Sequence, residues 1–354
     1  MTDLFIKVKT QQGQNLPFVL FCKPDSDKVI GVFQRNDHIY FLDTFEEKGF
    51  AFAPFDAEEV PYIPLEHSDV YVETVHSRNY YFEPKASNLN DVIGKDFFEE
   101  LVAKGVEAIQ ENQLLKVVLS RREEVALPDF DIQTTMRKMI YQYADAFKYC
   151  FFHPKIGTWL GASPEQFLKT NGTELKTVAL AGTQLATSSK NIIWQNKEEI
   201  EQQLVTDFIV DSLEDLSKEV TISSPYSVKA GNLWHIKSDI SARLKSTKSL
   251  KKIITALHPT SAVCGLPKQA AKKFILENEG YNREYYSGFL GELNIDLVTF
   301  RTLQTDLFVN LRCMKIIKNK AQLYIGCGIT KDSNPVDEYI ETVNKSMTMK
   351  KILE

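Results

Sequence analysis

The amino-acid sequence predicts a mixed, largely antiparallel α+β fold, and three observations carry that prediction. Stretches with strand character alternate irregularly with stretches of helical periodicity. Many strands are separated only by short turn segments, such as Lys23-Pro24-Asp25-Ser26-Asp27 and Arg35-Asn36-Asp37-His38. No Gly-x-Gly-x-x-Gly follows a strand and no Walker loop occurs, so a regular βαβ winding around a nucleotide has no support.

The elements follow in chain order. Residues 1 to about 90 read as short strands with turns: Leu16 to Cys22, Val29 to Phe33 and Ile39 to Leu42 are apolar or aromatic runs. This part carries no obvious chemistry and is expected to be scaffold of the same fold. A helix is expected from Leu89, with Val92, Phe97, Phe98, Leu101 and Val102 apolar, followed by a strand from Leu115 to Ser120. Thr134 to Phe147 has a helical stripe of Met136, Met139, Ile140 and Tyr143. Strands are expected at Phe151-Phe152, Thr158 to Leu160 and Glu174 to Leu180, the last ending in Ala181-Gly182-Thr183. A long helix is expected from Lys197 to about Lys218. Pro267 opens a helix to about Asn278, and strands follow at 287–294, 307–317 and 322–327. Asn334-Pro335 marks the start of the last helix, Asn being a good N-cap and Pro a good first helical residue.

Composition sets limits. The 354 residues are 43% hydrophobic and 25% charged, enough for a large core. The net charge of −5 gives no bulk basic character to favour nucleic acid or an anionic membrane. An anionic substrate would therefore need local Lys, Arg or a metal. Five cysteines without a Cys-x-x-Cys pair suit a reducing compartment. Cys264 and Cys327 read as small packing residues. No secretory signal and no bilayer-length apolar stretch is evident, so a cytoplasmic protein is expected.

Several residues could carry chemistry. Glu198 and Glu201 are three apart on one predicted helix, and Glu338 and Glu341 on another. Each pair therefore presents two carboxylates on one face. Four carboxylates converging from two helices would need a cation, and an all-oxygen site suits Mg²⁺. An isolated Glu-x-x-Glu is more often a solvated helix face. Lys116 sits in the apolar strand Leu115-Lys116-Val117-Val118-Leu119-Ser120, where desolvation would make it a general base, unless the strand is an edge facing water. Glu165, in Gly161-Ala162-Ser163-Pro164-Glu165, could be held at a strand end as a general acid. His258-Pro259-Thr260 and Cys264-Gly265-Leu266-Pro267 form a Pro/Gly-rich loop, a place where function concentrates. Arg312, read as lying on a strand, could clamp a carboxylate in bidentate fashion. Glycines at 326 and 328 would let a ligand approach the backbone.

In order, the segments Lys-Val-Val-Leu-Ser-Arg (116–121), Gly-Ala-Ser-Pro-Glu (161–165), Ala-Leu-Ala-Gly-Thr (179–183), Lys-Glu-Glu-Ile-Glu (197–201), the 258–267 loop, Tyr-Ser-Gly-Phe-Leu-Gly (286–291), Leu-Arg-Cys (311–313), Tyr-Ile-Gly-Cys-Gly-Ile (324–329) and Asp-Ser-Asn-Pro-Val-Asp-Glu-Tyr-Ile-Glu-Thr-Val-Asn-Lys (332–345) resemble the chorismate-binding enzyme family. The resemblance covers roughly residues 95 to 350. It implies an α/β sandwich with large antiparallel sheets and a site between them, with 91–354 as the catalytic region and 1–90 as its N-terminal part. It implies Lys116 as the base that activates water, with a lowered pKa, and Glu165 as the general acid. Glu201 and Glu341 are implied as Mg²⁺ ligands, with Glu198 and Glu338 supporting through water. Arg312, Tyr286 and the backbone at Gly326 and Gly328 would contact substrate carboxylates. Gly182, Thr183 and Lys345 fall at pocket positions, and His258 lines the ring.

Within that family, aminodeoxychorismate synthases typically carry a nucleophilic Lys where Ala181 stands. Anthranilate synthases usually show Pro-Ile at 179–180 and His after the metal-ligand Glu, where this chain has Ala179-Leu180 and Gln202. The resemblance thus favours a water-using isochorismate synthase, with salicylate synthase as the alternative and an anthranilate synthase component or a silent chorismate-binding protein behind it. It implies chorismate as a small-molecule substrate, no amidotransferase subunit, and a monomer.

Overall fold

The computed structural model describes residues 2–56, 58–75, 92–185, 192–230 and 233–354. The helices are α1 (Thr2–Gly13), α2 (Val92–Gln110), α3 (Ile132–Gln142), α4 (Asn196–Glu214), α5 (Leu250–Leu257), α6 (Lys268–Asn278) and α7 (Pro335–Leu353). The first strands are β1 (Phe18–Cys22), β2 (Lys28–Gln34), β3 (Tyr40–Phe41), β4 (Gly49–Ala53), β5 (Pro61–Pro64) and β6 (Ser68–Thr74). The middle of the chain adds β7 (Lys116–Ala126), β8 (Phe147–His153), β9 (Gly157–Ser163), β10 (Gln166–Asn171) and β11 (Glu174–Leu185). The remainder are β12 (Ser217–Ile222), β13 (Tyr226–Ala230), β14 (Leu233–Leu244), β15 (Gly265–Leu266), β16 (Phe289–Leu293), β17 (Gln304–Val309), β18 (Cys313–Ile317) and β19 (Lys320–Ile329). None of the described helices is long and apolar enough to cross a membrane.

The strands form two antiparallel sheets. Sheet I runs β15-β7-β19-β18-β9-β8-β1-β2-β6, and sheet II runs β12-β14-β11-β10-β17-β16-β4-β5-β3, with β13 paired to β14. The sheets face each other across an aromatic core of Phe21, Phe147, Tyr149, Phe151 and Trp159 from one and Phe50, Phe52, Leu290 and Phe308 from the other. Phe52 stacks on Phe151 with centroids 4.2 Å apart, and Phe147 on Phe308 at 4.4 Å. Such pairs add ~0.5–1.5 kcal/mol each beyond their buried area. α1, α3 and α7 cover part of the outer face of sheet I, and α2 and α6 cover its β7 end. α4 and α5 cover sheet II. The result is the expected sandwich of large antiparallel sheets flanked by helices.

Four sequence-based boundaries need correction. Residues 2–13 form a helix, not strand scaffold: Leu4, Val8 and Gln11 fall on one buried stripe, a helical spacing. The helix expected from Thr134 to Phe147 ends at Gln142, and Phe147 already opens β8. The helix expected to reach Lys218 ends at Glu214, and Ser217–Ile222, rich in β-branched residues, pairs with β14 instead. The strand expected over 307–317 is two strands in different sheets. The chain leaves sheet II after Val309 and enters sheet I at Cys313, so Arg312 lies in a crossover, with φ +48°. The hairpin β13–β14 and helix α5 were not anticipated. Asn334 caps α7 as expected, accepting from the backbone N–H groups of Val336 and Asp337.

Candidate active site

Lys116 opens β7 and shares its parity with Val118 and Ser120. Val117 and Leu119, on the other face, pack against Gly105 of α2. Lys116 is 8% exposed, and its strand is paired on both sides, by β15 and β19. It is therefore not an edge residue facing water. Its Nζ lies 2.6 Å from Glu201 Oε1. Glu201 comes from α4, which packs on sheet II, so this ion pair bridges the two halves of the sandwich. The residue that the resemblance implies as the base is thus paired with a carboxylate in this structure.

Glu165 stands in the two-residue link between β9 and β10, where its carbonyl accepts from Val309 N–H. It lines a cavity with Phe167, Leu180, Val205 and Leu257. Burial pushes its carboxyl up to about 7, against the opposing charges of Lys116, Arg312 and Lys345. Its surface is only half-buried, yet the burial outweighs the three cations.

Arg312 reaches the same region from the crossover. Burial holds its guanidinium below the usual range, while Tyr286, Glu341, Tyr143 and Glu165 act the other way. Among the described residues no side-chain hydrogen bond or ion pair engages it. Tyr286, in the turn before β16, is buried and stacks on Tyr324 at 5.7 Å. On β19, a Cβ at Gly328 would sit 3.2 Å from Lys116 Cε. A Cβ at Gly326 would meet Tyr286 Oη at 2.6 Å and the Leu119 carbonyl at 2.8 Å. The backbone contact cannot move aside cheaply. Gly326→Ala is therefore expected to cost about 1–3 kcal/mol, read as a drop in unfolding midpoint; an unchanged midpoint would mean the strand yields there.

The other acidic residues are each engaged locally. Glu198 accepts from its own helix start, Gln195 N–H, at 3.0 Å, closing a capping box. Glu338 accepts from Ser333 Oγ at 2.7 Å, and burial and the neighbouring Glu341 raise its carboxyl. Glu341 pairs with Lys345 at 2.5 Å, and Lys345 also donates to Gly326 O at 3.0 Å. Among the described residues no three ligating groups form a metal cluster. Gly182 sits at a bulge of β11 with φ +69° against α4, where a Cβ would come 3.1 Å from Glu198 Cβ. Thr183 lies opposite His235, and its side chain is outside the described residues. His258 contacts Pro54 O through Nε2 at 3.0 Å and packs edge-on to Phe289, and burial takes it down to about 4. It is a neutral donor.

Two residues of this region were missed. His235, on β14, holds Gly182 O through Nδ1 at 3.2 Å. Burial lowers it, and Lys345, Glu341 and Lys116 all act on it, which places it in the same charge cluster. Tyr143 donates to Thr348 O at 2.7 Å, acts on Arg312, and is pushed up to about 12 by burial. A lone strand histidine and a helix-end tyrosine carry no sequence signal; only the register brings them in.

These elements thus bring Lys116, Glu165, Glu201, Arg312, Glu341 and Lys345 into one charged cleft. Comparisons with known proteins identify the family. A model described as "Chorismate binding enzyme" matches residues 65–354. A Pseudomonas aeruginosa protein named "Salicylate biosynthesis isochorismate synthase" is 31% identical over 267 residues, 72% of this chain and 54% of its own length. The Escherichia coli "Isochorismate synthase EntC" is 29% identical over 265 residues, 71% of this chain and 66% of its own. The chain thus spans between half and two thirds of these curated relatives. Two solved structures share the fold. One, described as the putative 2,3-dihydroxybenzoate-specific isochorismate synthase DhbC of Bacillus anthracis, has TM-score 0.77 and 23% identity, with 96% of each chain covered. The other, MenF of Escherichia coli, has TM-score 0.78 and 20% identity, covering 96% of this chain and 89% of that one. With the model matched over most of its length and the matched segments converging on one cleft, the chain belongs to the chorismate-binding enzyme family.

Proposed function

We propose that this chain is an isochorismate synthase, an Mg²⁺-dependent isomerase that moves the hydroxyl of chorismate from C4 to C2. The observation that carries the reading is Glu165: a carboxyl raised to about 7 in the same cleft as Lys116 is half protonated near neutrality, as a general acid must be. The matched relatives bear isochorismate synthase names, and Ala181 offers no amine nucleophile.

The chemistry assigns a task to each group. Arg312, with Tyr286 and the backbone beside Gly326 and Gly328, receives the substrate's carboxylates. Lys116, parted from Glu201 and neutral, takes a proton from water as the water oxygen bonds to C2. The diene electrons shift, the C4–O bond breaks, and Glu165 gives its proton to the departing hydroxyl. Water enters and water leaves, so the product is an isomer of the substrate. Solvent then returns Lys116 and Glu165 to their starting protonation states.

The carboxylates fit a magnesium ion. Glu201 and Glu341 would hold it directly and Glu198 and Glu338 through water. Mg²⁺ is usually held by one or two carboxylates, waters and substrate oxygens, so a cage of three protein ligands is not required. Glu201 and Glu341 each rest against a lysine, and Glu338 and Glu341 share a like-charge environment that a cation would relieve. When bound, the ion withdraws charge from the ring carboxylate. Action without an amidotransferase subunit, as a cytoplasmic monomer, belongs to the same reading.

The test is an incubation with chorismate and Mg²⁺, without ammonia or glutamine, followed by separation of products. Isochorismate alone is expected. Salicylate with pyruvate would assign salicylate synthase instead, and anthranilate appearing only with ammonia would overturn both.

A further inference from the structure

We propose that Asn310 is a positioning residue for substrate binding, a buried amide that joins the turn carrying Tyr286 to the crossover carrying Arg312. Asn310 is 0% exposed, and both of its backbone groups and both ends of its side chain are bonded. Its N–H donates to Gly288 O at 2.8 Å and its C=O accepts from Ser287 N–H at 2.9 Å. Its Nδ2 donates to Tyr285 O at 2.8 Å. Apart from a long contact of Cys313 Sγ to the Asn310 carbonyl at 3.9 Å, three of the residue's four bonds go to the turn 285–288. The fourth, from Tyr149 Oη to Asn310 Oδ1 at 2.7 Å, ties the residue to β8 of sheet I.

The location explains the demand. Between Val309 and Cys313 the chain leaves one sheet for the other. Its backbone groups there have no ladder partners on one side, and buried backbone groups must be bonded. An apolar side chain at 310 would leave Tyr149 Oη and Tyr285 O without these partners in the core. Arg312, two residues on, takes a positive φ, and its own carbonyl accepts from Ala162 N–H at 3.1 Å. The Arg312 guanidinium is thus aimed by a backbone that Asn310 holds on one side and β9 on the other. Among the described residues no hydrogen bond joins Asn310 to the cleft, so it acts only through Arg312 and Tyr286.

This inference rests on the reading of Arg312 and Tyr286 as substrate-carboxylate contacts. It is tested on the full chain with Mg²⁺ by chorismate Kd from calorimetry, by KM and kcat, and by unfolding midpoint. Asn310→Leu is expected to raise Kd and KM roughly 10-fold, with a smaller change in kcat, because misplacing a binding group acts on ground-state capture. Tyr149→Phe removes one hydroxyl and should move Kd in the same direction by less, which keeps the test open if Asn310→Leu does not fold. In an Arg312→Lys background either change should add little, since both routes end at Arg312. A lowered midpoint with Kd at the wild-type value, or a Kd effect that multiplies fully with that of Arg312→Lys, overturns the proposal. A wild type that binds chorismate but forms no isochorismate defeats the activity reading while the Kd comparison still decides Asn310. A wild type that binds none overturns both.

Discussion

Glu165→Gln is expected to lower kcat on chorismate by ~10²–10⁴-fold with KM nearly unchanged, the contribution typical of a positioned general acid. Gln keeps the shape and the half-buried position but has no proton to give. The pH profile provides the sharper check. The acid must be protonated, so wild-type kcat should hold on the acid side of about 7 and fall as pH rises through it. In the Gln variant that limb should vanish; a variant that kept both rate and limb would remove Glu165 from the mechanism. Stability gives the same sign independently. The folded carboxyl sits above its ordinary value of 4.5. Folding therefore takes up a proton between 4.5 and about 7, and the favourable contribution present below that window is lost as pH rises through about 7. Glu165→Gln should accordingly gain unfolding midpoint relative to wild type on the alkaline side, an uncommon case of a dead variant being the more stable protein.

Lys116→Ala should also remove ~10²–10⁴-fold of turnover, for a different reason and with a different side effect. Lys116 is the partner of Glu201 at 2.6 Å, and both side chains are largely buried, at 10% and 18% exposure. Breaking such a pair takes one partner from the carboxylate, a loss of up to ~3–5 kcal/mol in a fully buried case and less here because Glu201 reaches some water. Excess Mg²⁺ should restore part of that stability, since Glu201 Oε1 is no longer shared with Lys116 Nζ. Mg²⁺ binding measured by calorimetry should therefore tighten in Lys116→Ala even as turnover disappears. Mg²⁺ affinity that stays equal or weakens would take Glu201 out of the metal site.

The two lysine–glutamate pairs suggest how the cleft stays intact before substrate arrives. Glu201 with Lys116 and Glu341 with Lys345 place an ammonium beside each carboxylate that is proposed to hold the metal. Behind α7, a buried network fixes the helix that carries Glu338, Glu341 and Lys345. Arg121 Nε donates to Thr342 Oγ1 at 2.7 Å and its Nη2 reaches Glu123 at 3.1 Å, while Glu123 also pairs with Lys350. Such networks stabilise little on balance but penalise any shift of the helix strongly.

The sequence by itself determined what is local. Apolar alternation and short polar turns marked most strands, Asn334-Pro335 marked the start of α7, and the ordered motifs marked the family and the residues of the cleft. Local chemistry could do this because caps, turns and periodicity act within a few residues. Everything that depends on a partner far along the chain was decided by the tertiary structure. Arg312 looked like part of a strand because Leu307 to Ile317 is continuously apolar apart from a few residues, and only the existence of two sheets shows that the chain must cross between them there. Glu198 read as a supporting carboxylate beside Glu201, and the helix start at Asn196 also makes it the capping carboxylate. Nothing around Lys116 in the sequence marked its partner: α4 brings Glu201 to within 2.6 Å from 85 positions away. The raised carboxyl of Glu165 likewise arises from Phe167, Leu180, Val205 and Leu257, four side chains that share one cavity only once β10, β11, α4 and α5 pack together. Desolvation and charge pairing act through space, and space is what a linear pattern does not contain.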